Sequence, residues 1–238
     1  WNYDFDNPIV TESFNGLVSA YAAGGDAKSA VQSQIFCTGG SNDGSCEASG
    51  IERIESMTIN GPSIETSGVD IFADYQMELG VGFAKIGLDL SHTLQYEQDA
   101  YYKSGVLVGT SYDAAGYLNA SRTARPLPDL KGRVFGEYSL DQHNFLVYVN
   151  HITSYEDERY EGTKVDSQTT YDLHYQYSFM DDQARVTVSA MNVTDEDPPL
   201  ARLDLSYDGY THNAFGRMIK VGIEYTIGEG SIAKIFND

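Results

Sequence analysis

The sequence is short of positive charge. Its 15 lysine and arginine residues stand against 35 aspartate and glutamate residues, which gives a formal charge of −20. Nucleic acid is therefore not an expected partner, because binding phosphates requires a basic surface. The chain also has no run of eighteen apolar residues, so it carries no signal for a transmembrane helix. Membrane-crossing β-strands stay open, because each such strand gives a much weaker sequence signal.

Cysteine is scarce as well, since only Cys37 and Cys46 occur, in the segment CTGGSNDGSC. A zinc site usually needs four ligands and no histidine lies nearby, so the spacing favours a disulfide over two free thiols. Closing about ten residues contributes about 2–3 kcal/mol, and a disulfide indicates an oxidising compartment. The chain starts at Trp1 without a methionine or a signal peptide, and we expect it to be a piece of a longer protein.

What the chain does contain is tyrosine, 18 residues in all, and long stretches in which apolar and polar residues alternate. Residues 84–96 keep this alternation throughout, which places an apolar face and a polar face on one strand. Several stretches exceed the usual strand length of about 5–6 residues and reach the roughly 9–11 that a tilted membrane strand needs. The other alternating stretches are 69–79, 133–140, 165–179, 184–191 and 217–227.

The connections between these stretches are of two kinds. Matching the apolar faces predicts four-residue turns that pair Leu79 with Ala84, Leu140 with Phe145, and Phe179 with Ala184. The other connections are long, at 11–50, 98–130, 156–163 and 194–215. Short turns at one end and long loops at the other are typical of outer-membrane barrels. We therefore predict an all-β fold, an antiparallel up-and-down transmembrane β-barrel segment with short periplasmic turns and long extracellular loops.

About eight strands are predicted in this segment. We assign residues 1–227 to the barrel portion and residues 228–238 to a C-terminal tail. In the first long loop, the apolar spacing of residues 11–25 predicts one short helix that ends at Gly24 or Gly25. The eight strands are 1–10, 51–79, 83–97, 131–140, 145–155, 165–179, 184–193 and 216–227.

The last strands carry the most specific motif, AMNVTDEDPPLARLDLSYDGYTHNAFGRMIKVGIEYTI (190–227). It resembles the terminal segment of TonB-dependent outer-membrane receptors. Upstream, SGVDIFADY (67–75), AGYLN (115–119) and RPLPDLKGR (125–133) resemble other parts of the same family's barrel. One departure is the chain end, where GEGSIAKIFND follows Ile227 in place of a terminal aromatic residue. The motif residues are Asn192, the acidic stretch Asp195–Asp197, Pro198, Pro199, Tyr207, Asp208, Gly216 and Arg217.

The resemblance implies the C-terminal part of a barrel of about 22 strands, in the outer membrane of a Gram-negative bacterium and without its plug domain. Such receptors take up a scarce solute: an iron–siderophore, cobalamin, an oligosaccharide or a peptide. The implied partners are outer-membrane lipid, lipopolysaccharide, an unidentified small-molecule substrate, and the TonB complex through the missing plug. Two alternatives stay open: a small self-contained outer-membrane barrel that acts as an adhesin or structural protein, and a soluble sugar-binding β-sandwich.

No residues are arranged for covalent chemistry, so we expect no enzyme, no metal and no cofactor. His174 is predicted to lie on a polar strand face, and its neighbours in the sequence include no Ser or Cys nucleophile placed beside it. Ligand contacts are expected from the long loops, with aromatic-girdle roles for Tyr96, Tyr155 and Tyr171 as the alternative. Glu78 is predicted to pair with Lys85, and Arg217 with loop acids. The ligand candidates are Tyr101, Tyr102, Tyr112, Tyr117, Tyr160, Tyr207, Tyr210 and His212.

Overall fold

The computed structural model describes residues 1–226, so Ile227 and the predicted tail 228–238 lie outside the described residues. About 50% of the chain is strand and 10% is helix, and the strands are antiparallel. The two α-helices are α1 (Phe14–Ala23) and α2 (Gly25–Val31). The strands are β1 (Asn2–Phe5), β2 (Ile9–Thr11), β3 (Ile35–Cys37), β4 (Ile51–Ile54), β5 (Thr58–Asn60), β6 (Ile64–Leu79), β7 (Gly82–Gln98), β8 (Tyr101–Lys103), β9 (Val106–Gly109), β10 (Tyr112–Asp113), β11 (Leu130–Leu140), β12 (His143–Ile152), β13 (Tyr155–Glu156), β14 (Lys164–Val165), β15 (Gln168–Phe179), β16 (Ala184–Met191) and β17 (Met218–Tyr225).

The chain divides into two compact units. We call Trp1–Val69, His92–Asp129 and Ser154–Val165 the loop unit. We call Asp70–Ser91, Leu130–Thr153 and the chain from Asp166 onward the sheet unit. The loop unit therefore contains most of the first three long connections predicted from the sequence. The sheet unit contains the short turns.

The sheet unit is built on an up-and-down sheet in which neighbouring strands are antiparallel. Its strands follow the chain in the order β6, β7, β11, β12, β15, β16 and β17. The predicted large antiparallel sheet is thus confirmed. Over the described residues the strand order runs from β1 at one end to β17 at the other, and no closed barrel is formed.

Apolar side chains form continuous rows across this sheet, which we call the apolar rows. They lie side by side because every strand pair keeps the same parity. None of their members is buried, and most are exposed: Phe145 by 46%, Leu173 by 44% and Val221 by 64%. The rows are Tyr138–Phe145–Tyr175–Val188–Val221 and Gly136–Val147–Leu173–Ala190–Ile219.

The opposite face of the sheet is polar. One row there reads Glu137–Leu146–His174–Ser189–Lys220, and another reads Ser139–Asn144–Gln176–Thr187–Gly222. Hydrogen bonds link neighbouring strands along it, for example between His174 Nδ1 and Ser189 Oγ at 2.8 Å. The two faces therefore differ as the alternation in the sequence predicts.

Two of the three predicted turns need correction. Phe179 pairs with Ala184 around a four-residue turn, as predicted. Leu140 pairs with His143, not with Phe145, so that turn has two residues. β6 likewise ends at Leu79 and β7 begins at Gly82. A shift of two residues leaves every side chain on its face, which is why the apolar pattern did not detect it.

The predicted charge pairs of β6 and β7 also change with the shorter turn. Lys85 Nζ lies 3.4 Å from Asp74 Oδ2, so its observed partner is Asp74 and not the predicted Glu78. Asp89, also on β7, has its Oδ2 3.2 Å from Arg133 Nη2. Each of these two carboxylates thereby has a cation of its own.

The loop unit has a hydrophobic core of its own. Ser13 caps α1 by accepting a hydrogen bond from Gly16 N at 3.1 Å, and Gly24, with φ of 75°, ends the helix where predicted. Leu17 and Tyr21 are buried on one side of α1, whereas Phe14, in its first turn, is 59% exposed. The core consists of Leu17, Ala20, Tyr21, Val31, Ile35 and Val108.

Short strands replace two of the long strands predicted for this unit. Residues 1–10 are not one strand: β1 pairs with β6, while β2 pairs with β5. Residues 51–79 divide into β4, β5 and β6. The Cys37–Cys46 disulfide is confirmed, with sulfurs 2.03 Å apart, and Tyr21 donates a hydrogen bond to Cys46 O at 2.9 Å. β2 with β5 and β3 with β4 thus form separate two-stranded sheets, whereas β1 extends the large sheet beside β6.

Candidate ligand-binding site

A cavity of about 510 Å³ lies in the loop unit, and all the residues that line it belong to that unit. They come from segments that are far apart in the sequence. Residues 10–19 carry the end of β2 and the start of α1, residues 98–112 include β8 and β10, and residues 121–123 form a turn. Glu158 completes the wall. Only the folded loops bring these side chains together.

Glu12 anchors one side of the cavity through a dense hydrogen-bond network. Its side chain is fully buried, and Lys103 Nζ lies 2.7 Å from its Oε1. Tyr101 donates to the same oxygen at 3.1 Å, and Met57 N donates to Oε2 at 3.1 Å. Gln34 bridges the pair, because its amide donates to Glu12 and accepts from Lys103. A buried carboxylate is stable only when it is paired and hydrogen-bonded in this way.

This network shifts the pKa values of two acidic side chains, Glu12 and Tyr101. Burial alone raises the pKa of Glu12, but the hydrogen bonds from Lys103, Gln34 and Met57 outweigh burial and lower it below its ordinary value. Burial, together with the neighbouring Glu12 carboxylate, raises the pKa of Tyr101 to about 12. At neutral pH Glu12 is therefore ionised and Tyr101 keeps its proton, so the network is fully formed.

Glu158 is the residue of the cavity wall with an unmet hydrogen-bonding need. Its Oε1 accepts hydrogen bonds from Ser121 N at 2.7 Å and from Ser121 Oγ at 2.8 Å. Its Oε2 is buried and has no hydrogen-bond partner within the described chain. A carboxylate oxygen that is shielded from water without a donor is unfavourable by itself, and a ligand donor would relieve it.

Arg122 is the cation of the cavity wall, and one of its nitrogens is already hydrogen-bonded within the loop unit. Its Nη1 donates to Asp113 O at 2.9 Å and to Asn119 Oδ1 at 3.1 Å. The guanidinium carbon lies 4.7 Å from the ring centroid of Tyr112 and 4.8 Å from that of Tyr117. Arg122 thus holds two of the predicted tyrosines in place.

The predicted ligand residues fall into both units. In the loop unit, Tyr101 and Tyr112 line the cavity, whereas Tyr102 and Tyr160 are exposed elsewhere on its loops. The predicted girdle residue Tyr155 is 2% exposed in the loop unit, so it belongs to the core and not to a girdle. The candidates Tyr207, Tyr210 and His212 belong to the sheet unit.

In the sheet unit, the motif residues hold the last long loop. His212 is buried, and its Nδ1 lies 2.8 Å from Gln168 Oε1, while Gln168 Nε2 donates to Asp197 O at 3.1 Å. Burial lowers the pKa of His212 although Asp208 lies nearby. Asp208 is fully buried and accepts from Tyr210 N at 2.9 Å. These contacts order the loop around His212.

The remaining motif residues form the entry to β17. Asn192 exchanges two hydrogen bonds with the backbone of Glu196, and Pro198 and Pro199 follow in a segment without regular structure. Gly216 has φ of 63°, and a Cβ there would lie 2.7 Å from Asp195 Oδ1. Arg217 N donates to that same oxygen at 2.7 Å and its Nη2 lies 3.8 Å from Oδ2. Arg217 thus pairs with a loop acid, as expected.

Within residues 1–226, no group of three or more His, Cys, Asp or Glu side chains is placed to hold a metal ion. In the same range no helix has the length and apolar character needed to cross a membrane. Comparison with family models, with curated proteins and with solved structures finds no match. The functional interpretation therefore depends on the two units themselves.

Sequence reasoning found Tyr101 and Tyr112 but missed Glu12, Glu158 and Arg122. The acidic run at 156–161 is typical of a solvated loop face. Nothing in its sequence distinguishes Glu158 from its neighbours. The only available signal was composition: residues 98–123 combine tyrosines with hydroxyl and amide side chains. That signal marks a region, whereas the cavity depends on contacts between distant segments.

Proposed function

We propose that this chain is part of the barrel of a TonB-dependent outer-membrane receptor, and that its loop unit contributes to capture of the solute. The observation that carries the proposal is the exposure of the apolar rows. In the sheet unit, the described hydrophobic side chains that are buried are three alanines, Ala84, Ala184 and Ala201. In a soluble protein, the apolar face of a sheet packs against a second layer of protein. In a membrane, lipid contacts that face, so no second layer is needed.

The polar face supports the same proposal. A barrel strand alternates between lipid-facing apolar residues and lumen-facing polar residues. The rows through Leu146, His174 and Lys220 and through Gln176 and Thr187 supply such a lumen face. The open strand order over the described residues favours a portion of a wider barrel over a closed eight-stranded one. Under this proposal the solute binds at the loops and moves inward when TonB acts on a plug domain.

The membrane part of the proposal is tested with two cysteine variants at matched depth. Val221→Cys lies in an apolar row, and Thr187→Cys lies on the polar face beside Gly222. We expect a water-soluble maleimide to label Thr187→Cys, and not Val221→Cys, in outer membranes isolated from Gram-negative cells that produce the protein. The native cysteines form a disulfide and do not react. Equal labelling of the two variants overturns the membrane assignment.

A second measurement separates the receptor from the small self-contained barrel. An antibody raised against residues 11–57 is used on an immunoblot of outer membranes from cells that produce the protein from its natural gene. The receptor proposal expects a polypeptide large enough for a plug and about 22 strands. A band the size of the 238-residue chain favours the alternative, an adhesin or structural barrel.

A further inference from the structure

We propose that the loop-unit cavity binds a neutral, hydroxyl-rich solute about the size of a disaccharide, which donates a hydroxyl proton to Glu158. The binding claim depends only on the loop unit. The claim that this solute is also the one transported rests on the proposed function. Ligand pockets for small molecules typically measure about 300–1,000 Å³, and the cavity, at about 510 Å³, lies within that range.

The first step is the carboxylate oxygen of Glu158 that lacks a hydrogen-bond donor. With Oε1 occupied by Ser121, Oε2 is left without a donor and is shielded from water. The terminal torsion of a glutamate is broad, so a small rotation turns this oxygen toward a ligand at low cost. Hydrogen bonds from a hydroxyl to a carboxylate are short and strong. A ligand hydroxyl at this wall therefore completes the carboxylate's hydrogen bonding.

The second step is the set of unpaired hydroxyl groups on the cavity wall. Ser19, Thr110 and Ser111 line the cavity, and their side chains make no hydrogen bond to any described residue. Asn15 uses its amide nitrogen for Ser121 O at 3.1 Å, which leaves its side-chain oxygen as an acceptor. The three hydroxyl groups can both donate and accept hydrogen bonds, and the amide oxygen of Asn15 can accept them. A ligand whose own groups do both, as sugar hydroxyls do, matches them better than an ammonium ion, which only donates.

The third step is charge. Glu158 and Asp99 are acidic residues that line the cavity, and the carboxylate of Asp99 has no hydrogen-bond donor among the described residues. The one cation of the wall, Arg122, is engaged by Asp113 O, Asn119 and two tyrosine rings. The two carboxylates outnumber this cation, so an anionic ligand would meet a cavity wall of net negative charge. Among polar solutes, the neutral ones fit best.

The test is saturation-transfer-difference NMR on the purified full-length chain with named probes. Five neutral disaccharides are used: maltose, cellobiose, mannobiose, xylobiose and galactobiose. Digalacturonate is the anionic match of galactobiose. We expect at least one neutral disaccharide to bind and digalacturonate to bind at least about tenfold more weakly than galactobiose, the factor expected from one charge-assisted contact.

Variants identify the site. Glu158→Gln keeps an oxygen for Ser121 but replaces the unpartnered Oε2 with an amide, and we expect affinity for the bound disaccharide to fall about tenfold. Glu161→Gln, in the same loop, is exposed and does not line the cavity, so it is the control and should bind as the parent does. Hydrogen exchange of residues 11–57 verifies that both variants keep the loop unit folded.

Several results overturn the inference. These are no binding by any of the five disaccharides, binding of digalacturonate equal to that of galactobiose, or equal affinity of the Glu158→Gln and Glu161→Gln variants. None of them affects the maleimide experiment, which needs no solute. If no disaccharide binds but the maleimide labelling is as expected, the solute class is wrong and the receptor proposal stands. If a disaccharide binds but the two cysteine variants are labelled equally, the receptor proposal is wrong and the cavity remains a binding site.

Discussion

The loop unit and the sheet unit treat their apolar side chains in opposite ways, although one chain passes through both of them several times. Leu17 in the loop unit is 0% exposed and packs in a core, whereas Val221 in the sheet unit is 64% exposed. The loop unit packs its core between helices and short strands, and it holds a disulfide and the buried Glu12 carboxylate that pairs with Lys103. The sheet unit has alternating faces and covers neither of its apolar rows. The difference is that the loop unit builds a buried hydrophobic core, whereas the exposed apolar rows of the sheet unit follow from its strand pattern.

Removing the carboxylate of Glu12 is the change from which we expect the largest effect. Glu12→Ala leaves Lys103 without its buried partner, and the donors of Gln34, Tyr101 and Met57 lose their acceptor. We expect a loss of about 3–5 kcal/mol from the stability of the loop unit, read from hydrogen exchange. Glu47→Ala, at an exposed position in the same loop, is the control. An equally small change in both variants would show that the network contributes little.

A pair of truncations compares the two units directly. Leu17→Ala leaves a cavity in the loop-unit core and should cost about 2–5 kcal/mol. Val221→Ala removes a side chain that touches solvent or lipid, and should change stability by less than about 0.5 kcal/mol. Urea unfolding followed by hydrogen exchange measures both. If Val221→Ala costs as much as Leu17→Ala, the apolar rows are packed against protein, and the contrast between the units is lost.

A charge placed in an apolar row tests which solvent the row meets. Val221→Arg should cost about 2–4 kcal/mol if the row faces the middle of a bilayer. Thr187→Arg puts the same charge on the polar face of the neighbouring strand and serves as the control. The amount of folded, protease-resistant protein in outer membranes is the measurement. Equal yields of the two variants would mean that both faces are wet.

The smallest effect concerns the proton of Tyr101. Its folded pKa of about 12 exceeds the ordinary value of about 10, so its contribution is complete below pH 10 and is lost as the pH rises toward 12. Tyr101→Phe should cost about 1.5–3 kcal/mol at neutral pH and should flatten this alkaline loss. Tyr102→Phe, at a 60% exposed position, is the control. The measurement is the pH dependence of hydrogen exchange in the loop unit, and parallel pH profiles for the two variants would contradict the assignment.

The sequence predicted the sheet better than it predicted the loops. Alternation located the long strands because each side chain's face depends only on whether its position is odd or even. The same property hid the turn length after Leu140, since a two-residue shift keeps Phe145 on its face. Helix α2 was missed because it begins at Gly25, directly after the glycine that ends α1, where a helix boundary was expected.

The candidate site was harder to predict for a different reason. Glu158 and Asn15 are both bound to Ser121, yet they lie 37 and 106 residues from it along the chain. No local period relates such positions, and an acidic run such as 156–161 is usually a solvated surface. Tyrosine content directed attention to Tyr101 and Tyr112, but the charges that give the cavity its chemistry are defined only by tertiary contacts.

The shared parity of the apolar rows limits how this protein can change in length. Inserting one residue within His143–Ile152 would move Phe145 or Val147 to the polar face and Asn144 or Leu146 to the apolar face. The neighbouring strands on both sides would keep their own faces unchanged. An insertion of two residues would keep each side chain on its face of the sheet and would only move the turn. Strand lengths in this sheet are therefore free to drift in even steps, whereas an odd step requires a bulge to absorb it.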